Sequence, residues 1–311
     1  MTPHLGVDIG GTKIHAALVA ERGRVVDHAT ADTPAAAGPV AVLDAAAALA
    51  LRIGGSGTVG VGAAGTIDPA TGAVSYATDS LPGWAGTRVA QELASRLGRP
   101  VVVDNDVNAG ALGEAWCGAA RGLSEVLVVA AGTGLGGALL RNGRIEHGAR
   151  GGAGELAHMP VPWGSELRCG CGRTGHLEGV ASGTGLSRAY RSRTGRRLCG
   201  RAVAARAAEG DAIARAVVTT AGQALGRTLA GLVALLDPHA VILAGGAAET
   251  LLPPTTEAYE AELLPPFRHI PLLLTELGGD AVAVGAARLA MTWAQESGVQ
   301  PAHGKRKKVT D

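Results

Sequence analysis

Between Gly151 and Glu178 the chain gathers Glu155, His158, Cys169, Cys171, His176 and Glu178 in a stretch rich in glycine. Four of these side chains can ligate a metal. The thiols of Cys169-Gly170-Cys171 lie near the imidazole of His176 on one short loop, and His158 supplies a further donor upstream. Two thiolates and two imidazoles suit tetrahedral zinc, and a full set of protein donors leaves no open position, so the site is expected to be structural rather than catalytic. The competing reading is a glycine loop whose cysteines are incidental. Glu155 and His158 stand at i and i+3, the spacing that puts two side chains on one helical face. A metal on one ring nitrogen of His158 would turn the other, with its proton, beside Glu155, a pair suited to a hydroxyl-rich ligand.

The elements that must position such a site are bounded by size and composition. At 311 residues the chain exceeds one ordinary core, so two lobes are expected. With 48 glycines and only 3% aromatic residues, it favours close backbone approach over aromatic stacking platforms. A net charge of +1 supplies no global field for nucleic acid or an anionic membrane. No run reaches the roughly 18 apolar residues of a membrane span, and the start lacks a basic and then apolar leader. A cytoplasmic protein without nucleic-acid or membrane partners is expected, with Cys117 and Cys199 as ordinary thiols.

Taken in order, Leu5 to Ile9 reads as a strand that enters Gly10-Gly11-Thr12-Lys13 and leaves as the apolar segment Ile14 to Val19. This is a hairpin whose amides can face a phosphate, not a strand-to-helix Walker loop. The same logic returns at Glu125 to Ala131, where Gly132-Thr133-Gly134 precedes another strand. Thr58 to Gly65 reads as a buried strand carrying amides to its end, and Pro100 to Val103 empties into Asp104-Asn105-Asp106 ahead of a helix through Ala119. Open sheets place ligand groups at such strand ends; a plain Asn or Asp helix cap is the alternative. Helices are expected from Ala35 to Arg52, Thr87 to Leu97, Gly185 to Tyr190, and in segments from Ala202 to Leu236, where Asp237-Pro238 stops the last. A strand at Val241 to Ala244 ends on Gly245-Gly246, Val282 to Ala294 is a final helix, and Trp84 reads as packing.

Gly154-Glu155-Leu156-Ala157-His158 and Cys169-Gly170-Cys171-Gly172-Arg173-Thr174-Gly175-His176-Leu177-Glu178 resemble the hallmark of the ROK sugar kinases, Gly-Glu-x-Gly-His followed by Cys-x-Cys-Gly-x-x-Gly-Cys-x-Glu. Ala157 replaces a glycine, His176 replaces the third cysteine, and Ala64 stands where relatives usually carry proline. Three thiolates around a dication sum to minus one and two sum to zero, so a somewhat weaker metal site is expected, with His158 a slightly better hydrogen-bond donor. The likeness runs from Leu5 to about Met291.

It implies a two-lobed actin-like ATPase (ribonuclease H-like) α/β fold with a structural zinc loop in the larger lobe. Residues 1–118 would form the smaller lobe, rejoined by a helix at 282–295, and residues 119–281 the larger; residues 300–311, with Lys305-Arg306-Lys307-Lys308, would be a disordered tail. It further implies an ATP-dependent hexose 6-kinase acting on glucose or an amino-modified glucose such as kanosamine. An N-acetylmannosamine or N-acetylglucosamine kinase and a non-catalytic sugar sensor are the alternatives. Asp106 matches the catalytic base. Gly65, Asn105, Asp106, Glu155, His158 and Glu178 would bind the sugar. Asp8, Gly10, Gly11, Thr12, Lys13, Gly132, Thr133, Gly134, Gly245 and Gly246 would hold ATP and Mg2+, and His158, Cys169, Cys171 and His176 a structural Zn2+. A homo-oligomer, dimer or tetramer, is implied as well. Repressors of the family carry a helix-turn-helix ahead of the sugar-binding body, for which the seven residues before Asp8 leave no room.

Overall fold

Short apolar strands separated by glycine turns are used twice over. The computed structural model describes residues 3–78, 80–164 and 166–297; the expected tail lies outside the described residues. In chain order the elements are β1 (His4–Ile9), β2 (Lys13–Val19), β3 (Val25–Asp32), α1 (Pro39–Ile53), β4 (Val59–Ala63), β5 (Thr66–Asp68), β6 (Ala73–Tyr76), α2 (Val89–Leu97), β7 (Val101–Asn105) and α3 (Asp106–Cys117). Then come β8 (Glu125–Ala131), β9 (Leu135–Arg141), β10 (Arg144–Ile145), α4 (Leu177–Ala181), α5 (Gly183–Thr194), α6 (Gly200–Ala208), α7 (Ala212–Leu236), β11 (Ala240–Ala244), α8 (Ala248–Glu262), β12 (Leu272–Leu274) and α9 (Ala281–Glu296).

Backbone packing divides the described chain into two units, one containing residues 3–77, Leu81–Gly113 and residues 282–297, the other Glu114–Ala281 with Thr78 and Ser80. Each unit has one five-stranded sheet, in the orders β3-β2-β1-β4-β7 and β10-β9-β8-β11-β12. In the first, β1 pairs antiparallel with β2 and parallel with β4, and β4 pairs parallel with β7. In the second, β8 pairs antiparallel with β9 and parallel with β11, and β11 pairs parallel with β12. The two sheets therefore share one topology. Parallel neighbours need a long crossover, which α1 supplies before β4 and α7 before β11.

The glycines of the first sheet are explained by α9. A Cβ at Gly6 or Gly60 would overlap the carbonyl oxygens of Ala283 and Ala286 in that helix, and one at Gly285 would overlap that of Ala109 in α3. Strands and helices thus meet at backbone distance, a packing only glycine permits. Each unit keeps its own core: Leu5, Val7, Ile9, Leu43, Val61 and Trp84 in the first, and Leu127, Val129, Leu177, Leu225, Val241 and Tyr259 in the second. No helix among the described residues is long and apolar enough to cross a membrane.

Several elements depart from the sequence reading. The helix expected from Ala35 is broken: a single 3-10 turn ends at Gly38 (φ 85°), and α1 starts afresh with Pro39 in its first turn. The strand β3 and the helix α8 have no counterpart in it. Pro253 and Pro254 lie inside α8, where proline normally ends a helix. Packing holds it there, because Gly222 of α7 faces Pro254 and Gly226 faces the Thr255 carbonyl, so the two helices lie in backbone contact.

Candidate functional site

In the first unit the site residues meet at the ends of β1, β4 and β7. The turn after β1 is tight, with the Gly10 N–H on the Lys13 carbonyl at 3.1 Å. Thr33, just beyond β3, braces it from outside: its hydroxyl donates to the Gly10 carbonyl at 2.7 Å and its N–H to that of Thr12 at 3.0 Å. Sequence reasoning missed Thr33, whose only signal is its place after a strand that was itself unread. Burial pushes the carboxyl of Asp8 up to about 7, with the Asp106 charge adding to the rise and Lys13 opposing it. Asp8 and Asp106 are therefore electrostatic neighbours.

The step from β7 into α3 carries the densest hydrogen bonding. Asn105 accepts at Oδ1 from the N–H groups of Val107 (2.8 Å) and Asn108 (3.1 Å), the geometry of an N-cap. Its Nδ2 donates to the Gly65 carbonyl at 2.9 Å and to Asp106 Oδ1 at 2.8 Å. Asp106 Oδ1 also accepts the Val107 N–H at 2.9 Å. Buried Asp104 accepts from the Asn105 N–H and from Asn108 Nδ2 (2.7 and 2.8 Å), which locks the turn from below. Gly65, with φ of 98°, is held by its neighbour Ala64, whose carbonyl accepts the indole N–H of Trp84 at 3.0 Å. Trp84 is core, as its sequence context suggests, and also a strut for this loop. The Ala64 N–H donates to the Ile9 carbonyl at 3.1 Å, a bond a proline at this position could not make.

In the second unit the Gly132–Gly134 turn is held by the start of α5. The N–H of Gly183 donates to the Gly132 carbonyl at 2.9 Å, and the Thr184 hydroxyl to the Thr133 carbonyl at 2.8 Å. Gly245, with φ of 91°, lies against the end of β8, where a Cβ would come within 2.5 Å of the Ala131 carbonyl oxygen. Both glycine motifs of this unit therefore gather at the adjacent tips of β8 and β11.

The metal-type donors converge. The ligating atoms of His158, Cys169, Cys171 and His176 all lie within 4.8 Å of one another. Cys169 Sγ is 3.4 Å from His158 Nδ1 and Cys171 Sγ is 3.3 Å from His176 Nδ1. A tetrahedral zinc with ordinary Zn–S and Zn–N bonds has an S···N edge of about 3.5 Å, so the donor set fits the ion. Burial pushes the Cys169 thiol up to about 12, with Glu178 adding to it; a dication in the cluster would reverse that. Burial, followed by the charges of His158 and Arg173, lowers His176, favouring the neutral imidazole that a metal requires.

With Nδ1 of His158 turned to Cys169, its Nε2 lies 3.9 Å from Glu155 Oε2. Glu155 precedes a short 3-10 turn, Leu156–His158, which puts the pair on one side. Glu178 Oε1 accepts the Gly170 N–H at 2.6 Å and the Cys169 thiol at 3.0 Å, while Oε2 accepts the Leu135 N–H at 3.4 Å. One carboxylate thus ties the cysteine loop to the glycine turn before β9.

Two α/β sheets of one topology, each with a strand, a glycine turn and a strand at its site, define a class of phosphate-handling protein. The profile of the ROK family matches residues 4–292. A glucokinase of Halalkalibacterium halodurans is 34% identical, over 92% of this chain and 94% of its own length. An N-acetyl-D-glucosamine kinase of Pasteurella multocida is also 34% identical, over 75% of this chain and 80% of its own. A crystal structure of a ROK family glucokinase from Streptomyces griseus in complex with glucose and AMPPNP superposes with a TM-score of 0.84 at 33% identity, over 93% of this chain and 99% of that one. The chain belongs to the ROK family, and within it to the sugar kinases.

Proposed function

We propose that this sugar kinase transfers the γ-phosphoryl group of ATP to the 6-hydroxyl of glucose or of an amino-modified glucose such as kanosamine. The observation that carries the reading is the fixed carboxylate of Asp106. It stands where β7 enters α3, oriented by the Asn105 amide and the Val107 N–H, and a base so held is ready to accept a hydroxyl proton in the transition state. Phosphoryl transfer asks little covalent chemistry of the protein, so alignment and charge neutralisation supply most of the catalysis.

The turns at Gly10, Gly11, Thr12 and Lys13 and at Gly132, Thr133 and Gly134 would present amides to the triphosphate, with Gly245 and Gly246 on the adenosine side. Magnesium near the Asp8 carboxylate would neutralise phosphate charge. Glu155 and the Nε2 of His158 would take sugar hydroxyls, and zinc on Nδ1 of His158 would fix the tautomer that donates. Asn105 would reach the sugar only by exchanging a bond it now makes within the protein, whereas the Gly65 carbonyl and the Glu178 carboxylate retain acceptor capacity for a hydroxyl.

The likeness to an N-acetyl-D-glucosamine kinase favours one second reading, an N-acetylated hexosamine as acceptor. Comparing kcat/KM for glucose, kanosamine, glucosamine, mannose, N-acetylmannosamine and N-acetylglucosamine with ATP separates the two. A preference for an N-acetylated sugar would replace the first reading with the second, and absence of turnover with every sugar would sink both.

A further inference from the structure

The glycine turn before β9 carries two amides with no acceptor in the protein. Gly132 gives its N–H to the Gly134 carbonyl at 2.9 Å, and the Leu135 N–H goes to Glu178 Oε2 at 3.4 Å. Among the described residues, the N–H groups of Thr133 and Gly134 find no such partner. Backbone donors are left this way where water or a ligand takes them, and Thr133 is exposed.

The direction of these two amides is set by the carbonyls in the same peptide planes. No peptide bond among the described residues is cis, and across a trans peptide the C=O and the N–H point opposite ways. The Gly132 carbonyl accepts the Gly183 N–H at 2.9 Å, and the Thr133 carbonyl accepts both the N–H (3.1 Å) and the hydroxyl (2.8 Å) of Thr184. Both carbonyls are thus drawn to the first turn of α5, and the amides of Thr133 and Gly134 are turned away from it. The bonds serve the helix as well, whose first N–H groups have no acceptor within it; that of Gly185 goes to the Ser182 hydroxyl at 3.0 Å. Only glycine allows this approach at position 183, where a Cβ would come within 2.8 Å of the Gly132 carbonyl oxygen.

The turn after β1 is held in the same manner by different neighbours. Thr33 gives its hydroxyl to the Gly10 carbonyl and its N–H to the Thr12 carbonyl, so the N–H groups of Gly11 and Lys13 face away from Thr33. Thr33 follows a strand and Thr184 opens a helix. In each unit, a threonine outside the turn uses its side chain and its own amide together to hold carbonyls back.

We infer that Thr33 and Thr184 are positioning residues for the phosphoryl donor, each acting through its turn rather than on the nucleotide. Amides already aimed at one place bind phosphate oxygens better than a turn whose peptides can rotate. The inference rests on the assignment of these turns to ATP in the kinase reading.

The test replaces each threonine by valine, which keeps the shape and the backbone N–H, and by serine, which restores the hydroxyl. Calorimetry with AMPPNP reads nucleotide affinity without turnover, and steady-state kinetics at saturating hexose reads the reaction. Thr184→Val and Thr33→Val should each weaken AMPPNP binding and raise the KM for ATP by about three- to tenfold, with kcat and the hexose dissociation constant changed less than about twofold. Thr184→Ser and Thr33→Ser should stay within about twofold of the native chain. A hydroxyl that only held the fold would move hexose and nucleotide affinity together. Unchanged AMPPNP affinity in either valine variant that folds, a parallel loss of hexose affinity, or serine variants as weak as the valine ones would each overturn the inference. A native chain that binds AMPPNP yet phosphorylates no hexose would instead strike at the kinase reading beneath it.

Discussion

Asn105 spends both amide hydrogens and both carbonyl lone pairs inside its own unit, on Gly65, Asp106 and the first amides of α3. Its modest reading as a helix cap and its reading as part of a site describe the same atoms, because the cap is what orients Asp106. Asp106→Asn should therefore lower kcat by about 10²–10⁴-fold, with the sugar dissociation constant changed only a few-fold by calorimetry; undiminished turnover would refute the base assignment. Asp8 gives a pH-dependent counterpart. Its folded-state pKa is raised to about 7, burial being the main cause, so folding is unpenalised at pH below the unfolded value and loses stability as pH rises through about 7. Asp8→Asn should then stabilise the ligand-free protein by about 1–3 kcal/mol at pH 8 and by nothing near pH 4, while abolishing ATP turnover. Equal stability of the two proteins at pH 8 would remove this account. At this scale the sequence disclosed groups that announce themselves by type and spacing, such as Cys169, Cys171 and His176. It hid Thr33, Thr184 and Trp84 as struts, because their partners lie many residues away.

Glu114 shows how an element is held at its end. Buried near the C-terminus of α3, it accepts the N–H groups of Ala119 (2.7 Å), Glu276 (3.3 Å) and Leu277 (3.1 Å), together with the Thr275 hydroxyl. It joins the segment after α3 to the loop before α9, close in sequence to two of the places, after Gly113 and after Ala281, where the chain passes from one unit to the other. Glu114→Ala would leave those partly buried donors without their acceptor and should cost about 1–3 kcal/mol by denaturant unfolding, with Glu114→Gln losing less. A change below 1 kcal/mol would show that the bonds are replaced by water. Legibility at this scale followed local pattern. Strands such as β1, β4 and β8, apolar and closed by glycine turns, could be read directly, and α7 stops at Asp237 as its sequence indicates. What could not be read was decided by packing between distant segments: α8 survives two prolines because Gly222 and Gly226 admit it.

At the scale of the molecule, duplication means that the chain holds two cores, and the metal loop belongs to one of them. Leu156, Ala157, Val161, Leu177 and Val180, which flank the metal donors, are part of the core around β8, β11 and α7, whereas the core around β1 and β4 contains none of them. Glu178 extends the linkage through Gly170 to the N–H of Leu135 at the start of β9. If this donor set holds zinc, as proposed, the free energy gained on binding it would be folding free energy for the second unit. Removing it with a chelator, or by acid that protonates thiolates and imidazoles, should loosen that unit first. Hydrogen exchange followed by mass spectrometry should show protection lost across residues 154–181 and at the tips of β8 and β9, with the amides of β1, β4 and β7 unchanged. The protein as purified should contain close to one zinc per chain, with replacement of His176 by cysteine holding the ion more tightly because a third thiolate adds negative charge. Uniform deprotection of both units on chelation would mean that they unfold as one, and an unchanged exchange pattern would mean that the loop stands without its metal.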